Sequence, residues 1–356
     1  MASDRQASTA RSPTTAEREA FDRGIKDKNL LGYWMIPSRS NGYRQPAAGY
    51  GAVKWDWKTL RESLQGAIRY IPKEEAHRRF VGLQHPDLEL GTTPHLMLGG
   101  QLLQAGELAP PHRHTMDAIR FVVEGDGSAC TVVEGEVFPM AKGDLITTPN
   151  WSWHDHISEG KVDTVWLDGA VAPLIVNFGV GFSEPHQEPR QPITARGDFS
   201  RMQFGPLQPR HPKFSGSSRR PPFRYPWEQT RRALDQLAAE AGDDYDDVVL
   251  HYADPLTGGP TLMTIDCEMQ LLRPHWSGKT HRHTHATIYH VIEGEGVSTV
   301  GETRIEWAPG DSFVVPIWAT HRHENQSAKP AVLFSCSDRP VMQALGFDRE
   351  DDGVRM

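Results

Sequence analysis

Short runs of alternating apolar and polar residues, each four to eight residues long and bounded by glycines, recur along most of the chain. Residues 119–123 (Ile-Arg-Phe-Val-Val) and 312–315 (Ser-Phe-Val-Val) are two examples. A period of two is typical of β-strands. Many short strands separated by turn residues favour a sandwich or a small barrel. We therefore expect a fold dominated by β-structure.

Two other segments carry helical signals. The first runs from Trp57 to Tyr70, and the second begins after Pro226 and extends, as a charged amphipathic helix, to Ala241. Between residues 183 and 226 the chain is rich in proline and arginine, which predicts an extended connector and not a third domain.

The chain contains an internal repeat. Gln101-Leu102-Leu103, His112-Arg113-His114-Thr115 and Glu124-Gly125-Asp126-Gly127 recur 169 residues later as Gln270-Leu271-Leu272, His281-Arg282-His283-Thr284 and Glu293-Gly294-Glu295-Gly296. At an offset of 167 residues, Gly143-Asp144, Pro149, Trp151, His154 and His156 recur as Gly310-Asp311, Pro316, Trp318, His321 and His323. Two copies of one β-unit follow from this pattern.

The repeat defines the expected domain boundaries. We expect a disordered tail at 1–20, an N-terminal arm with a helix at 21–88, a first barrel at 89–182, a connector with a helix at 183–245, a second barrel at 246–338 and a C-terminal tail at 339–356.

Composition narrows the functional class. The net charge of −8 argues against a nucleic acid or an anionic membrane as the main partner. The sequence has neither an apolar run long enough to span a membrane nor a visible secretory signal. Three cysteines without a CxxC pair favour a reducing, cytoplasmic location.

The chain has 17 histidines, and the most informative ones lie in the repeat. His112 and His114 alternate along a predicted strand and so face the same side, and a Gly-Asp hairpin can bring His154 beside them. Three such imidazoles form a site for a first-row metal with open coordination positions. His281, His283 and His321 repeat the spacing and form a possible second metal site. Isolated histidines such as His77 and His251 are more simply surface or core residues.

The two histidine motifs resemble those of the cupin superfamily. Gly106, His112, His114 and Gly125 match the first motif, with Ala118 in place of its usual glutamate. Gly143, Pro149 and His154 match the second, with Trp151 in place of a glycine.

The resemblance is closer to the gentisate 1,2-dioxygenase family, which includes salicylate and 1-hydroxy-2-naphthoate dioxygenases. It rests on residues 112–115 with 119–121, residues 151–156, residues 166–169, and the ending 337–340 with 345–346. It implies a bicupin of two jelly-roll-like β-barrels (double-stranded β-helices), Fe(II) at the first histidine set, an aromatic hydroxy acid and O2 as substrates, and a homotetramer.

Further residues are candidates for the site. Arg120 shares the inward period of Ala118 and would pair with a substrate carboxylate; the alternative is a salt bridge at the rim. His156 would act as an acid–base group, unless it is a structural partner of Asp155 or Asp168. The resemblance also implies that Arg78 or Arg79 closes the pocket; the alternative is an exposed, charged helix face. It implies that Gln101 and Asp168 line the pocket; the alternative is that they are polar residues that cap the strand ladder. We expect the small Gly99-Gly100 pair to lie near the site and leave room for a bulky ring.

Together with the resemblance, these residues predict a non-haem Fe(II) extradiol-type dioxygenase. It would cleave a 2-hydroxybenzoate (gentisate, salicylate or a substituted salicylate) between the carbons that bear the carboxylate and the hydroxyl. One alternative is a 1-hydroxy-2-naphthoate dioxygenase, and another is a bicupin that binds metal or ligand without turnover. Bicupin decarboxylases and oxalate oxidases need a carboxylate that Ala118 and Thr287 do not supply.

Overall fold

The structure is a computed structural model that describes residues 12–36, 45–46, 48–72, 75, 78–214, 216–218, 220–240 and 242–352. The chain divides into two compact units, residues 1–46 and 47–356. The first unit contains helix α1 (Thr15–Lys26). Thr14 begins it with a capping box, because its hydroxyl accepts from the Glu17 amide while the Glu17 carboxylate accepts from the Thr14 amide. The prediction of a disordered tail at 1–20 is therefore wrong for residues 15–20, and residues 1–11 lie outside the described residues.

The second unit is built from short antiparallel strands. The strands up to residue 185 are β1 (Lys54–Trp55), β2 (Arg79–Gly82), β3 (Met97–Leu103), β4 (Leu108–His114), β5 (Ala118–Glu124), β6 (Asp126–Val133), β7 (Glu136–Ala141), β8 (Leu145–Thr148), β9 (His154–Ser158), β10 (Thr164–Ala170) and β11 (Ser183–Pro185). The later strands are β12 (Arg224–Tyr225), β13 (Val248–His251), β14 (Asp266–Leu272), β15 (Arg282–His283), β16 (Thr287–Glu293), β17 (Gly296–Val300), β18 (Thr303–Trp307), β19 (Ser312–Val315), β20 (His321–Glu324), β21 (Ala331–Ser337) and β22 (Glu350–Asp351). The helices are α2 (Trp57–Tyr70), α3 (Ala172–Phe178), α4 (Phe199–Phe204), α5 (Trp227–Ala238) and α6 (Arg339–Ala344).

The strands form two barrels. The first barrel has sheets in the order β12-β8-β5-β10-β3-β2 and β11-β4-β9-β6-β7. The second has β1-β19-β16-β21-β14-β13, together with the smaller sheets β18-β17-β20 and β15-β22. The predicted fold of two β-barrels is confirmed.

Each barrel receives its edge strand from the segment that precedes the other barrel. Strand β1 pairs with β19 of the second barrel, and β12 pairs with β8 of the first. The helix that follows begins on the same foreign barrel: the Trp57 amide donates to the Asp311 carboxylate at 3.1 Å, and the Trp227 amide donates to Asp144 at 2.9 Å. Helix α2 then packs on β2 and β3, and α5 packs on β13 and β14. The exchange ties the two barrels together.

The hydrophobic core continues across the junction of the barrels. One cluster of buried apolar side chains contains residues from both, and the ring of Phe121 stacks on that of Phe334 with a centroid distance of 4.3 Å. Leu64 of α2 and Leu234 of α5 are fully buried in this cluster. Apolar area shared in this way stabilises the pair of barrels together.

The structure changes the expected description of the segments outside the barrels. The predicted helix at Trp57–Tyr70 is observed with those bounds, whereas the helix from Trp227 ends at Ala238, and its predicted end at Ala241 lies outside the described residues. The connector at 183–245 contributes β11 and β12 to the first barrel. Within the predicted tail at 339–356, the described residues 339–352 contain α6 and β22, and β22 pairs with β15.

We predict that Gly143→Ala destabilises the protein more than Gly106→Ala. Both glycines have a positive φ, +86° and +76°, which strains any other residue. A Cβ at Gly143 would also lie 2.5 Å from Cγ of Trp227, whereas a Cβ at Gly106 would have no atom of the described residues within 4 Å. We expect losses of about 2–5 kcal/mol for Gly143→Ala and about 1–2 kcal/mol for Gly106→Ala in the free energy of unfolding, measured by urea denaturation. Equal losses would show that Trp227 does not pack tightly on the turn.

Candidate metal centre and its pocket

Three histidines of the first barrel converge on one point. His112 and His114 lie on β4, and His154 begins β9, which pairs with β4 so that His112 is opposite His154. The ring centroid of His154 lies 4.1 Å from that of His112 and 4.8 Å from that of His114. One nitrogen of each ring lies within 4.8 Å of a nitrogen of each of the other two. The three imidazoles thus form a candidate site for a single metal ion.

Hydrogen bonds orient two of these rings. Nδ1 of His114 donates to the carbonyl oxygen of Met116 at 3.0 Å, and Nδ1 of His154 donates to that of Ser152 at 2.9 Å, which leaves Nε2 of each ring free to bind a metal. Burial lowers the pKa of His112 to about 2 and that of His114 to about 4, and it lowers the pKa of His154 well below its usual value. All three rings are therefore neutral near pH 7, as metal binding requires.

Trp151 occupies the position of the motif glycine in a conformation that favours glycine. Its φ is +60°, and its amide donates to the carbonyl oxygen of His114 at 2.7 Å. The guanidinium of Arg113 lies 4.5 Å from the ring of Trp151 and also pairs with Glu184 on β11. Stacking and the hydrogen bond offset the backbone strain. Trp318 repeats the arrangement with φ +60° and Arg282 4.7 Å away.

A cavity of about 260 Å³ opens beside the three histidines. Besides them, its apolar lining consists of Phe80, Met97, Met116, Ala118, Ala170 and Ala172. Its polar lining consists of Arg78, Gln101, Arg120 and Asp168. A cavity with apolar walls and two guanidinium groups suits a small, flat organic anion.

Comparison with known proteins places this geometry in a family. The cupin domain profile matches residues 101–169 and 268–336. A 1-hydroxy-2-naphthoate 1,2-dioxygenase of Nocardioides sp. (strain KP7) is 37% identical over 94% of this chain and 88% of that protein. Gentisate 1,2-dioxygenase 1 of Aquipseudomonas alcaligenes is 36% identical over 96% and 98%. The chain belongs to the gentisate 1,2-dioxygenase-like family. It is a ring-cleaving cupin dioxygenase.

A further relative and a solved structure are also 1,2-dioxygenases. A 5-aminosalicylate 1,2-dioxygenase of Comamonas sp. is 39% identical over 93% of this chain and 89% of that protein. The solved structure of a mutant salicylate 1,2-dioxygenase from Pseudoaminobacter salicylatoxidans in complex with gentisate has a TM-score of 0.87, 28% identity and 98% coverage of each chain. No helix among the described residues of the dioxygenase is long and apolar enough to cross a membrane.

Arg120 is the most deeply buried charge in the dioxygenase cavity, with only 2% of its surface exposed. It donates to the hydroxyl of Thr148, and its Nε lies 4.0 Å from a carboxylate oxygen of Asp168. Burial lowers the pKa of Arg120, and the charge of Asp168 opposes that shift. Arg120 and Asp168 both line the cavity, so Arg120 does not form the salt bridge at the rim that was its alternative role.

The two consecutive arginines of the arm have different surroundings. Arg78 lines the cavity: one Nη lies 2.6 Å from Nδ1 of His112 and donates to the carbonyl oxygen of Pro110 at 2.8 Å. Arg79 begins β2, lies outside the cavity lining and forms a buried ion pair with Glu107. Of the two candidate arginines, Arg78 therefore lies at the pocket, and the structure does not place Arg79 there.

The glycine pair does not leave the expected room for a bulky ring, although Gly99 shares the face of β3 that carries the cavity residues Met97 and Gln101. A Cβ at Gly99 would lie 2.5 Å from the carbonyl oxygen of Val81 and 2.6 Å from the ring of Phe80, and one at Gly100 would meet Leu64 of α2 at 2.9 Å. The glycines therefore allow close packing of neighbouring elements and leave no space for a ring. Gln101, two residues further along β3, does line the cavity.

His156 does not lie in the cavity lining. It is fully buried behind His154, against the indole of Trp166 at a centroid distance of 4.7 Å, and its ring nitrogens have no hydrogen-bond partner within the described part of the chain. Burial lowers its pKa well below the usual value. The carboxylate of Asp155 accepts from Gln191 instead. His156 therefore does not lie where the predicted acid–base role in catalysis requires it.

Sequence reasoning missed the apolar walls. Phe80, Met97, Met116 and Ala170 lie on β2, β3, the turn after β4, and β10. Their only signal was the period of two: Met97 shares a face with Gln101, and Ala170 shares a face with Asp168.

We predict that Arg79→Met and Arg78→Met differ in stability. Arg79→Met leaves the carboxylate of Glu107 largely buried without its partner, so we expect a loss of about 3–5 kcal/mol in the free energy of unfolding. Arg78→Met removes a cation whose polar contacts are an imidazole and a carbonyl, so we expect a change of about 1 kcal/mol or less. Denaturation curves of the two variants test this, and a larger loss for Arg78→Met would contradict the assignment of faces.

Proposed function

We propose that the first barrel binds Fe(II) through His112, His114 and His154 and cleaves a 2-hydroxybenzoate with O2. The bond broken would join the carbons that bear the carboxylate and the hydroxyl. The observation that carries this proposal is the combination of three neutral imidazoles with Arg78 and Arg120 in one apolar cavity. A metal ion and an organic anion are the ligands that this combination favours.

The residues present fit iron. Imidazole suits zinc, copper, iron and nickel, and ring cleavage with O2 favours a redox-active ion among these, for which we propose iron. When bound, ferrous iron would supply the one-electron chemistry that dioxygen needs to react with an aromatic ring. Because the motif glutamate is replaced by Ala118, the three ligands carry no charge, and an anionic substrate is favoured beside the cation.

Side chains that line the cavity of the first barrel would bind and orient the substrate. Arg120 offers its guanidinium to the substrate carboxylate, and Arg78 adds a second cation beside His112. The apolar side chains of Phe80 and Met97 contact the ring and exclude water from it. Holding both reactants in one geometry lowers the entropic part of the barrier.

Asp168 is the proposed acceptor of the phenol proton. It is the one carboxylate among the described residues that line the cavity, and it already lies beside Arg120. His156, which lies behind His154, would act on the site only through its neighbours. Gln101 would donate a hydrogen bond to an oxygen of the substrate.

A second candidate substrate is 1-hydroxy-2-naphthoate. The fused ring adds apolar surface and no polar group, which matches walls that include Met97, Met116 and three alanines. Methionine side chains adapt to ligands of different shape.

The expected homotetramer and cytoplasmic location stay predictions.

We expect oxygen uptake by the iron-loaded protein with salicylate, gentisate or 1-hydroxy-2-naphthoate, and a product whose mass exceeds that of the substrate by one O2. The His114→Ala variant should fold, lose the iron of the first barrel and show no turnover, because two imidazoles do not hold the metal. The measurements are oxygen consumption, product mass and metal content. A bicupin that only binds metal or ligand would take up iron and consume no oxygen with any of these acids.

We also expect Arg120→Met to raise KM for every carboxylate-bearing substrate by about a hundredfold, which is roughly 2.7 kcal/mol of lost binding. Arg120→Lys keeps the charge but not the planar pair of donors, so it should recover only part of the affinity. Steady-state kinetics of both variants, normalised to iron, test this. A change in KM of about threefold or less for Arg120→Met would remove Arg120 from the substrate site.

A further inference from the structure

The second barrel contains a histidine set with nearly the same geometry as the first. The ring centroids of His321 lie 4.1 Å from His281 and 4.8 Å from His283, and the corresponding distances in the first barrel are also 4.1 Å and 4.8 Å. One nitrogen from each ring lies within 4.8 Å of the others. The third pair of rings lies 5.3 Å apart in the first barrel and 5.9 Å apart in the second, so the two barrels present three imidazoles at similar spacings.

The rings of the second set are oriented in the same way. Nδ1 of His283 donates to the carbonyl oxygen of His285 at 2.8 Å, and Nδ1 of His321 donates to that of Ala319 at 3.1 Å. Nε2 of His321, a residue only 1% exposed, has no hydrogen-bond partner within the described residues. A buried nitrogen lone pair without a partner costs free energy unless a ligand satisfies it.

The charges around the second set are opposite to those around the first. In the first barrel the guanidinium of Arg78 contacts His112, whereas in the second barrel a carboxylate oxygen of Asp246 lies 3.5 Å from Nε2 of His281. Strand pairing makes two more positions directly comparable. Tyr289 pairs with Ser335 as Arg120 pairs with Asp168, and Glu268 pairs with Ser335 as Gly99 pairs with Asp168.

The second cavity, of about 190 Å³, is therefore acidic. Asp243, Asp246, Glu268 and Glu350 line it, and its one cationic side chain among the described lining residues, Arg339, lies 3.7 Å from the carboxylate of Asp348. A carboxylate-bearing substrate would be repelled here, whereas a cation would be attracted.

The end of the chain closes this cavity. Strand β22 pairs with β15, so that Glu350 lies opposite His283 and Asp351 opposite Arg282, and Arg282 forms an ion pair with Asp351. In the first barrel β11 pairs with β4 in the same way. Glu350, however, lines the second cavity, so the closing strand itself adds a negative charge next to the histidines.

We propose that the second barrel is a divalent-cation site, formed by His281, His283 and His321 with Asp246 as the nearest carboxylate, that does not accept a hydroxybenzoate. Its cation secures the C-terminal strand against the barrel through the surrounding carboxylates. The inference rests on the proposed function in one respect, which is that ring cleavage takes place in the first barrel.

Metal content of the full-length protein tests the proposal. After loading with Fe(II) or Zn(II) and desalting, we expect about two ions per chain in the wild type and about one in each of two variants, His114→Ala and His283→Ala/His321→Ala. The second variant should keep ring cleavage per remaining iron within about threefold of the wild type. One ion per wild-type chain, unchanged by His283→Ala/His321→Ala, would overturn the proposal.

The His114→Ala variant keeps the test decisive if the second-barrel variant does not fold. We expect Zn(II) to bind this variant at one site and to raise its melting temperature, and Asp246→Asn added to it should weaken Zn(II) binding at least tenfold. Salicylate should bind the metal-loaded wild type at one site per chain by calorimetry. No Zn(II) binding to His114→Ala, or two salicylate sites, would contradict the proposal. These counts do not depend on which acid the first barrel cleaves, so they fail separately from the proposed function.

Discussion

The register between the strand that carries His112 and His114 and the strand that carries His154 is the constraint on which the site depends. A shift of one residue in either strand would turn the imidazoles to the opposite face. The structure fixes the register with the Trp151 turn, whose amide bonds to His114, and with β11, which pairs along the outer edge of β4. Arg113 connects these two supports, since it stacks on Trp151 and pairs with Glu184. Residues that never contact the cavity therefore decide where the metal ligands lie.

With the three imidazoles fixed, the charges of the surrounding walls separate the two barrels. The strand register that presents Arg120 to the first set presents Tyr289 to the second, and the neutral Gly99 is replaced by Glu268. A common scaffold can therefore carry one site that attracts an organic anion and one that repels it. The donors select a metal, whereas the walls select what else can bind beside it.

The sequence predicted the parts of the structure that depend on local spacing. The histidine motifs, the two barrels and the helix at Trp57–Tyr70 follow from periodicity and from the repeat. The faces of Arg78 and Arg79 were not predictable, because the strand boundary falls between them. The roles of Gly99 and Gly100 depend on helix α2 and strand β2, which approach from distant parts of the chain.

The repeat extends further along the chain than its identical residues indicate. Lys54-Trp55-Asp56-Trp57 recurs as Arg224-Tyr225-Pro226-Trp227 with conserved character but few identities. Each copy places an edge strand and a helix start on the opposite barrel. The match between these two segments is therefore visible in the classes of their residues and not in their identities. The same applies to β11 and β22, which close equivalent edges of the two barrels.

The exchange of edge strands has a consequence for how the protein can be divided. A cut between residues 186 and 223 would leave the first barrel without β12 and the second without β1, because each half would carry the strand that belongs to the other. Expressed separately, each fragment would present an unpaired sheet edge and an uncovered apolar surface, conditions that lead to aggregation. Expressed together, the fragments would have complementary edges and could reassemble. The two barrels therefore form one folding unit, which no single cut in the connector divides into self-sufficient domains.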